Sequence, residues 1–158
     1  MPERSCGLLL YRRDPDALRV LVCHPGGPFW RNRDAGAWTL PKGAPEGDET
    51  AEATALREFA EELGTQVSGT LQPLGRIRQK GGKWVEAFAL EGDFDPSQLH
   101  SNPFECEWPP RSGKVQAYPE IDRATWATLE QARVLLLPAQ CEFLDRLAAL
   151  LAIQSAAR

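Results

Sequence analysis

The sequence predicts an α/β domain, and three observations predict it. Two short apolar segments near the N-terminus are joined by a polar Asp-Pro-Asp turn. The stretch from about Thr50 to Leu63 repeats apolar residues at helical spacing and stops at Gly64. Near the C-terminus Leu144, Leu147, Ala148 and Leu151 fall at i, i+3, i+4 and i+7, one stripe of a helix.

Each element has its own warrant. Residues 5–13 and 18–25 are apolar runs around Asp14-Pro15-Asp16, which reads as a pair of strands and their turn. Residues 26–36 are rich in Gly, Pro and Arg and read as a loop. Trp38-Thr39-Leu40 reads as a short strand stopped by Pro41, and 43–49 as a second polar loop. Residues 67–79 and 83–94 read as strands around Gly81-Gly82. Five prolines between 95 and 120 argue for an ordered but irregular loop. Thr125 to Ala127 reads as the last strand. Thr128-Leu129-Glu130-Gln131 matches a capping box that opens a short helix, and Pro138 begins the C-terminal one. There is no repeat or linker, so 1–158 is expected to be one domain.

The 158 residues carry 18 Lys+Arg against 22 Asp+Glu, a net charge of −4. With 42% hydrophobic residues, that excludes a disordered chain and a general electrostatic grip on nucleic acid. The apolar runs fall far short of the roughly 20 residues that cross a membrane, and Leu8-Leu9-Leu10 is too brief for a signal peptide. Cys6, Cys23, Cys106 and Cys141 make no metal-like spacing and are expected to be reduced thiols of a cytoplasmic protein.

The chemistry concentrates in Gly43 to Thr65, GAPEGDETAEATALREFAEELGT. With Glu58 at angle zero on a helix, Glu61 lies at about 300° and Glu62 at about 40°. Leu56, Phe59, Ala60 and Leu63 fall between about 100° and 200°. The apolar side should pin the helix and the other should present carboxylates, whose mutual repulsion a divalent cation would remove. Oxygen ligands suit Mg²⁺ or Mn²⁺. Three glutamates alone are more often a solvated face. The rest of the stretch shifts that balance. Gly43, Glu49, Arg57, Glu58, Glu61, Glu62 and Gly64, with an apolar Phe59, fit G-x5-E-x7-R-E-(apolar)-x-E-E-x-G. A chance match is on the order of 10⁻⁸ per position.

That pattern resembles the Nudix box, and the chain resembles a Nudix hydrolase. It departs from the usual pattern at Thr65, where the family has an aliphatic residue, and at Asp48, where many members have Gly. Neither replaces a ligand. Trp38-Thr39-Leu40-Pro41-Lys42-Gly43 and a glutamate six residues before Trp126 resemble the diadenosine tetraphosphate hydrolase branch. HPGGPFW (24–30) and EWPPRSGK (107–114) resemble a bacterial subgroup of predicted NTP pyrophosphohydrolases.

The resemblance implies an α/β/α sandwich with a mixed central sheet. It implies Glu58 and Glu62 as principal metal ligands and Glu61 as a further ligand or one acting through water. The backbone carbonyl of Lys42 or Gly43 would complete the set. Arg57 would hold Glu49 and Glu61 by charge-assisted hydrogen bonds. Gly43, Glu49, Arg57 and Gly64 are thus structural members of the motif. The base that activates water would be Glu58 or Glu120.

Lys83, Arg111 and Lys114 are candidates for a phosphate clamp, and Trp30, Trp108 and Tyr118 for stacking on a base. His24 and His100 have no partner at a metal-like or nucleophilic spacing. The implied reaction is Mg²⁺-dependent hydrolysis of a nucleoside diphosphate linked to another group, a diadenosine polyphosphate or nucleoside triphosphate first. ADP-ribose, a nucleotide sugar or a non-nucleotide pyrophosphate is the second reading, and a non-hydrolysing nucleotide sensor the third. The expected partner is a small molecule, with no nucleic acid and no membrane; self-association as a homodimer is left open.

Overall fold

Leu8, Leu9 and Leu10 decide the layering. They lie in β1 (Arg4–Arg13), where successive side chains point to opposite faces of the sheet. Leu9 and Tyr11 pack with Phe143, Leu144, Leu147 and Leu151 of the C-terminal helix α3 (Cys141–Ala156). Leu8 and Leu10 pack with Ala55, Phe59 and Leu63 of helix α1 (Ala51–Leu63). A strand buried on both faces needs a helical layer on each, and the result is the α/β/α sandwich. The computed structural model describes residues 4–156, and the expected domain bounds of 1–158 run past them at each end.

The sheet is mixed. Its order is β4 (Gln72–Arg78), β5 (Trp84–Glu91), β1, β2 (Leu18–Pro25) and β8 (Ile121–Thr128). The β1–β5 pair is parallel and the others are antiparallel. β1 changes partner along its length. Tyr11 to Arg13 pair with β2, whereas Cys6 and Gly7 pair with the two-residue β3 (Lys42–Gly43). β2 and β3 therefore diverge from one strand, and the chain between them is free to carry loops. Helix α2 (Leu129–Leu135) lies on the α3 side and opens on the anticipated capping box: Gln131 N–H donates to Thr128 Oγ1, and Thr128 N–H to Gln131 Oε1.

Several elements differ from the sequence reading. Trp38 and Thr39 make isolated bridges, to Leu136 and Cys23, and the paired strand comes later at Lys42–Gly43. The strands expected over 67–79 and 83–94 are shorter, and the one at 125–127 extends back to Ile121. Pro138 opens a 3-10 turn, Pro138–Gln140, with the α-helix starting at Cys141. The proline-rich segment is largely a hairpin, β6 (Pro103–Glu107) with β7 (Val115–Pro119). Its prolines mark the ladder's ends and tip: Pro103 lies opposite Pro119, and Pro109 and Pro110 sit in the turn. Proline is tolerated at those places. No described helix is long and apolar enough to cross a membrane.

The segment leading to β3 is held from the side by Gln140, which is fully buried. Its Oε1 accepts from the Leu40 N–H at 3.0 Å, and its Nε2 donates to Thr39 Oγ1 at 3.0 Å and to Gln79 Oε1 at 2.9 Å. Removing it leaves a cavity and a buried N–H without a partner. Gln140→Ala should therefore cost about 2–4 kcal/mol, a fall of roughly 5–15 °C in Tm, measured by thermal denaturation.

Candidate active site

α1 is fixed at both ends. Thr50 Oγ1 accepts from the Ala53 N–H at the start. Gly64 ends it in the left-handed conformation, at φ 81°, and its N–H donates to Ala60 O. A side chain at 64 would also strike the His100 carbonyl, 2.4 Å from the Cβ position. The buried face is Ala55, Phe59 and Leu63, with Thr54 and Glu62 beside them. Leu56 and Ala60, expected on the core side, are half-buried. The apolar arc is rotated toward the glutamates, and this takes Glu62 out of solvent.

Arg57 organises the acids. Its Nε and Nη2 grip Glu49 in a two-pronged pair at 2.8 and 3.0 Å. Its Nη1 donates to Glu58 Oε1 at 3.0 Å and to Glu61 Oε2 at 3.1 Å, and Nη2 also reaches the Ala44 carbonyl. Glu49 accepts further bonds from the Glu46 N–H and the Thr54 hydroxyl. The guanidinium, together with those donors, holds the Glu49 carboxyl down to about 2. The polar loop 43–49 is thereby tied to the helix.

Glu62 is different. It is 8% exposed, and its Oε2 is buried with no hydrogen-bond partner. Burial, with the charges of Glu58 and Glu120, pushes its carboxyl up to about 9. Burial likewise raises Glu120, with Glu58 adding to it. The ammonium of Lys42 is near enough to Glu62 and Glu58 to feel their charge, although burial and the neighbouring Lys83 push its own pKa down. Gly43 faces Glu58 so closely that a Cβ there would sit 2.1 Å from the carboxyl carbon. Backbone and carboxylate therefore share one wall.

A cleft of 380 Å³ lies between these groups, lined by Lys42, Gly43, Glu58, Glu61, Glu62 and Glu120, with Asn102 and Pro103 beside them. Glu120 reaches it through a run of backbone bonds. The α1 carbonyls of Glu61 and Leu63 accept from the N–H groups of Asn102 and His100. The Asn102 carbonyl accepts from Glu120 N–H, and the Glu120 carbonyl from Gly26 N–H. Asn102 and Pro103 carried no signal in the sequence, since their place depends on the packing of 100–103 against the end of α1.

The oxygen-rich lining and the orphaned Glu62 oxygen fit a hard divalent cation. As they stand, no three His, Cys, Asp or Glu side chains among the described residues surround a common centre. Arg57 draws Glu58 and Glu61 to itself. Other sequence candidates lie elsewhere. Arg111 and Lys114 are exposed at the hairpin tip, and Tyr118 packs on Phe104 and bonds Gln116. Lys83 is half-buried and outside the lining, near Lys42. His24 is fully buried between Asp122 Oδ1 and the Arg33 carbonyl, each at 2.7 Å.

Comparison with known proteins bears on the fold and the family. No curated protein matches the chain. Among solved structures, a Caenorhabditis elegans Ap4A hydrolase binary complex superposes with a TM-score of 0.66 at 21% identity, covering 94% of this chain and 98% of that one. The NUDIX domain of Shewanella oneidensis NrtR complexed with ADP ribose gives 0.65 at 17%, covering 96% and 89%. A mutT/nudix family protein from Listeria innocua gives 0.66 at 16%, covering 100% and 99%. At these identities the likeness is one of fold. The family model described as NUDIX domain matches residues 1–149, so the chain belongs to the NUDIX domain family.

Proposed function

We propose that the protein is a divalent-cation-dependent hydrolase of a diphosphate linkage in a nucleoside polyphosphate, with diadenosine polyphosphates first and nucleoside triphosphates behind them. The observation that carries this reading is the buried, unpartnered Glu62 oxygen in a cleft it shares with Glu58, Glu61 and Glu120. Such a group is costly unless a cation meets it. Glu58 and Glu62 would hold the ion, with Glu61 and the Lys42 or Gly43 carbonyl beside them, and Mg²⁺ or Mn²⁺ is the choice for an all-oxygen set. The bound cation would neutralise the diphosphate and make its phosphorus easier to attack.

The chain's own groups supply the rest. Glu120 approaches from outside the helix, so it can take the proton of an attacking water on a side that the helix carboxylates do not face. Glu58 is the alternative base. Arg57 keeps the helix acids in register while substrate binds. Water adds to one phosphorus, the bridging P–O bond breaks, and two phosphate-bearing products leave. A second reading, ADP-ribose as substrate, is favoured by the likeness to the NrtR domain complexed with ADP ribose.

A panel of diadenosine polyphosphates, nucleoside triphosphates and ADP-ribose with Mg²⁺, its products separated by chromatography, tests the reading. Glu58→Gln and Glu62→Gln should each lower kcat by about 10² or more while the fold persists. Full activity in excess chelator would remove the metal from the reaction.

Glu120→Gln keeps the shape and removes the charge. It should lower kcat by about 10² with Tm little changed. A variant within a factor of two of the parent would leave Glu58 as the base.

Glu62 also gives a pH signature in the metal-free protein. Its folded pKa, about 9, lies above the ordinary value of 4.5. The folded chain keeps a proton that the unfolded chain has released, so stability is fullest below 4.5 and is lost as pH rises toward 9. In chelator, Tm should fall between those limits more steeply for the parent than for Glu62→Gln. Adding Mg²⁺ should restore Tm most at the alkaline end, because the ligand must be ionised.

A further inference from the structure

His24 is fully buried near the end of β2, and no step of the proposed reaction uses it. Its Nε2 lies 2.7 Å from the Arg33 carbonyl and its Nδ1 2.7 Å from Asp122 Oδ1. A carbonyl only accepts, so Nε2 carries a hydrogen. A neutral ring has no second N–H, so the short Nδ1 contact needs a further proton, held between the ring and the carboxyl. Trp38 meets the ring edge to face at 5.3 Å. The Arg123 guanidinium lies over Trp38 and pairs with Asp34 at 3.4 Å and with Asp122 at 3.8 Å. The imidazole thus joins β2 to β8 and to the far end of the loop after β2. That loop also walls a second cavity, of 330 Å³, which Glu120 lines as well.

Asp122 is the extra residue of a β-bulge. Along the β2–β8 ladder Cys23 lies opposite Ala124 and His24 opposite Arg123, but Pro25 lies opposite Ile121. The shifted register continues past the strand, where the Gly26 N–H donates to the Glu120 carbonyl at 2.9 Å. Without the extra residue Gly26 would meet Ile121, and Glu120 would stand one residue, about 3.4 Å, further along. The side chains carry the same shift. Ala124 and Trp126 pack on the α1-side core, and unbroken alternation would send Ile121 to the other face, yet Ile121 is buried in that same core. We infer that His24 is a positioning residue: by its bond to Asp122 it holds the bulge in the register that delivers Glu120 to the carboxylate cleft. The inference rests on the reading of Glu120 as the base. His24 lines neither cavity, so it acts through Glu120 and not on the substrate.

Asp122 is partly exposed, so variants there disturb the core less than variants of the buried ring. Asp122→Ala removes the bond that holds the bulge. Asp122→Asn keeps it, because the amide can donate to Nδ1 while the Nε2 hydrogen still reaches Arg33. With the fastest substrate of the panel, Asp122→Ala should lower kcat by about 10- to 100-fold, and Asp122→Asn should stay within about threefold of the parent. Asp122→Ala added to Glu120→Gln should cost nothing further, since both act through one group. NMR reads the same clasp without turnover and on the parent chain, whatever the variants do. It should find two exchange-protected hydrogens at the His24 ring, and a Gly26 amide that exchanges about 10-fold faster in Asp122→Ala than in the parent or Asp122→Asn. Parental kcat in folded Asp122→Ala, Asp122→Asn as slow as Asp122→Ala, a further loss in the double variant, or a single ring hydrogen in the parent would each overturn the inference. Parental kcat in Glu120→Gln would instead remove Glu120 as the base, so the two failures are distinguishable.

Discussion

Mutual repulsion among carboxylates is the constraint on which the site depends. Glu58, Glu61, Glu62 and Glu120 line one cleft. Two unit charges 4 Å apart interact by about 4 kcal/mol at an effective dielectric near 20. The neighbouring cations answer unequally. Arg57 gives one nitrogen to both Glu58 and Glu61 and its remaining donors to Glu49 and the Ala44 carbonyl. Among the described residues none donates a hydrogen bond to the buried Oε2 of Glu62. The helix tolerates this because its other side is well anchored. Phe59 and Leu63 are fully buried, each contributing about 1.5–3 kcal/mol, and without a cation the proton that Glu62 keeps up to about 9 relieves its own repulsion. A frustrated carboxylate set on a firmly packed helix is one that gains by binding a cation and loses little by waiting for it.

That anchoring follows from the strand behind it. Three consecutive leucines in β1 feed both cores, and Leu8 and Leu10 meet α1 directly. The same strand pairs with β3 at Cys6 and Gly7. One strand thus sets the helix that carries the acids and the backbone that faces them. The approach is so close that a side chain at 43 would push the Glu58 carboxylate from its place. Gln140 braces the segment just before β3 from the opposite layer, so the α3 side of the molecule also bears on the cleft.

The parts of this design that are local were legible in the sequence. The caps Gly64 and Thr128, the helix α1 and the apolar runs of β1 and β2 depend on neighbours in the chain, and reading the chain recovers them. The spacing of Glu49, Arg57 and the helix glutamates was equally plain. The burial of Glu62 was less so, because helix angles alone do not say how wide the buried arc will be; Ala55 extends it to one side and Leu56 falls outside. The proline count of 95–120 predicts an irregular loop, yet four of those prolines stand at the ends and tip of a hairpin. Phe104 and Cys106 alternate with Glu105 and Glu107, a strand signal that the count concealed.

What reading the chain could not supply is how distant segments meet. Glu120 enters the cleft through backbone bonds that pass from the end of α1 to Asn102, from there to Glu120, and on to Gly26. Backbone groups bond irrespective of side chain, so such a run leaves almost no trace in residue identity, apart from glycines where two backbones touch. Gly26 against Pro119 and Gly27 against Phe104 are those traces. They also join the two cavities. The bond that fixes Glu120 at the inner end of one is made by the loop that walls the other, and a change in the loop after β2 must therefore be felt in both.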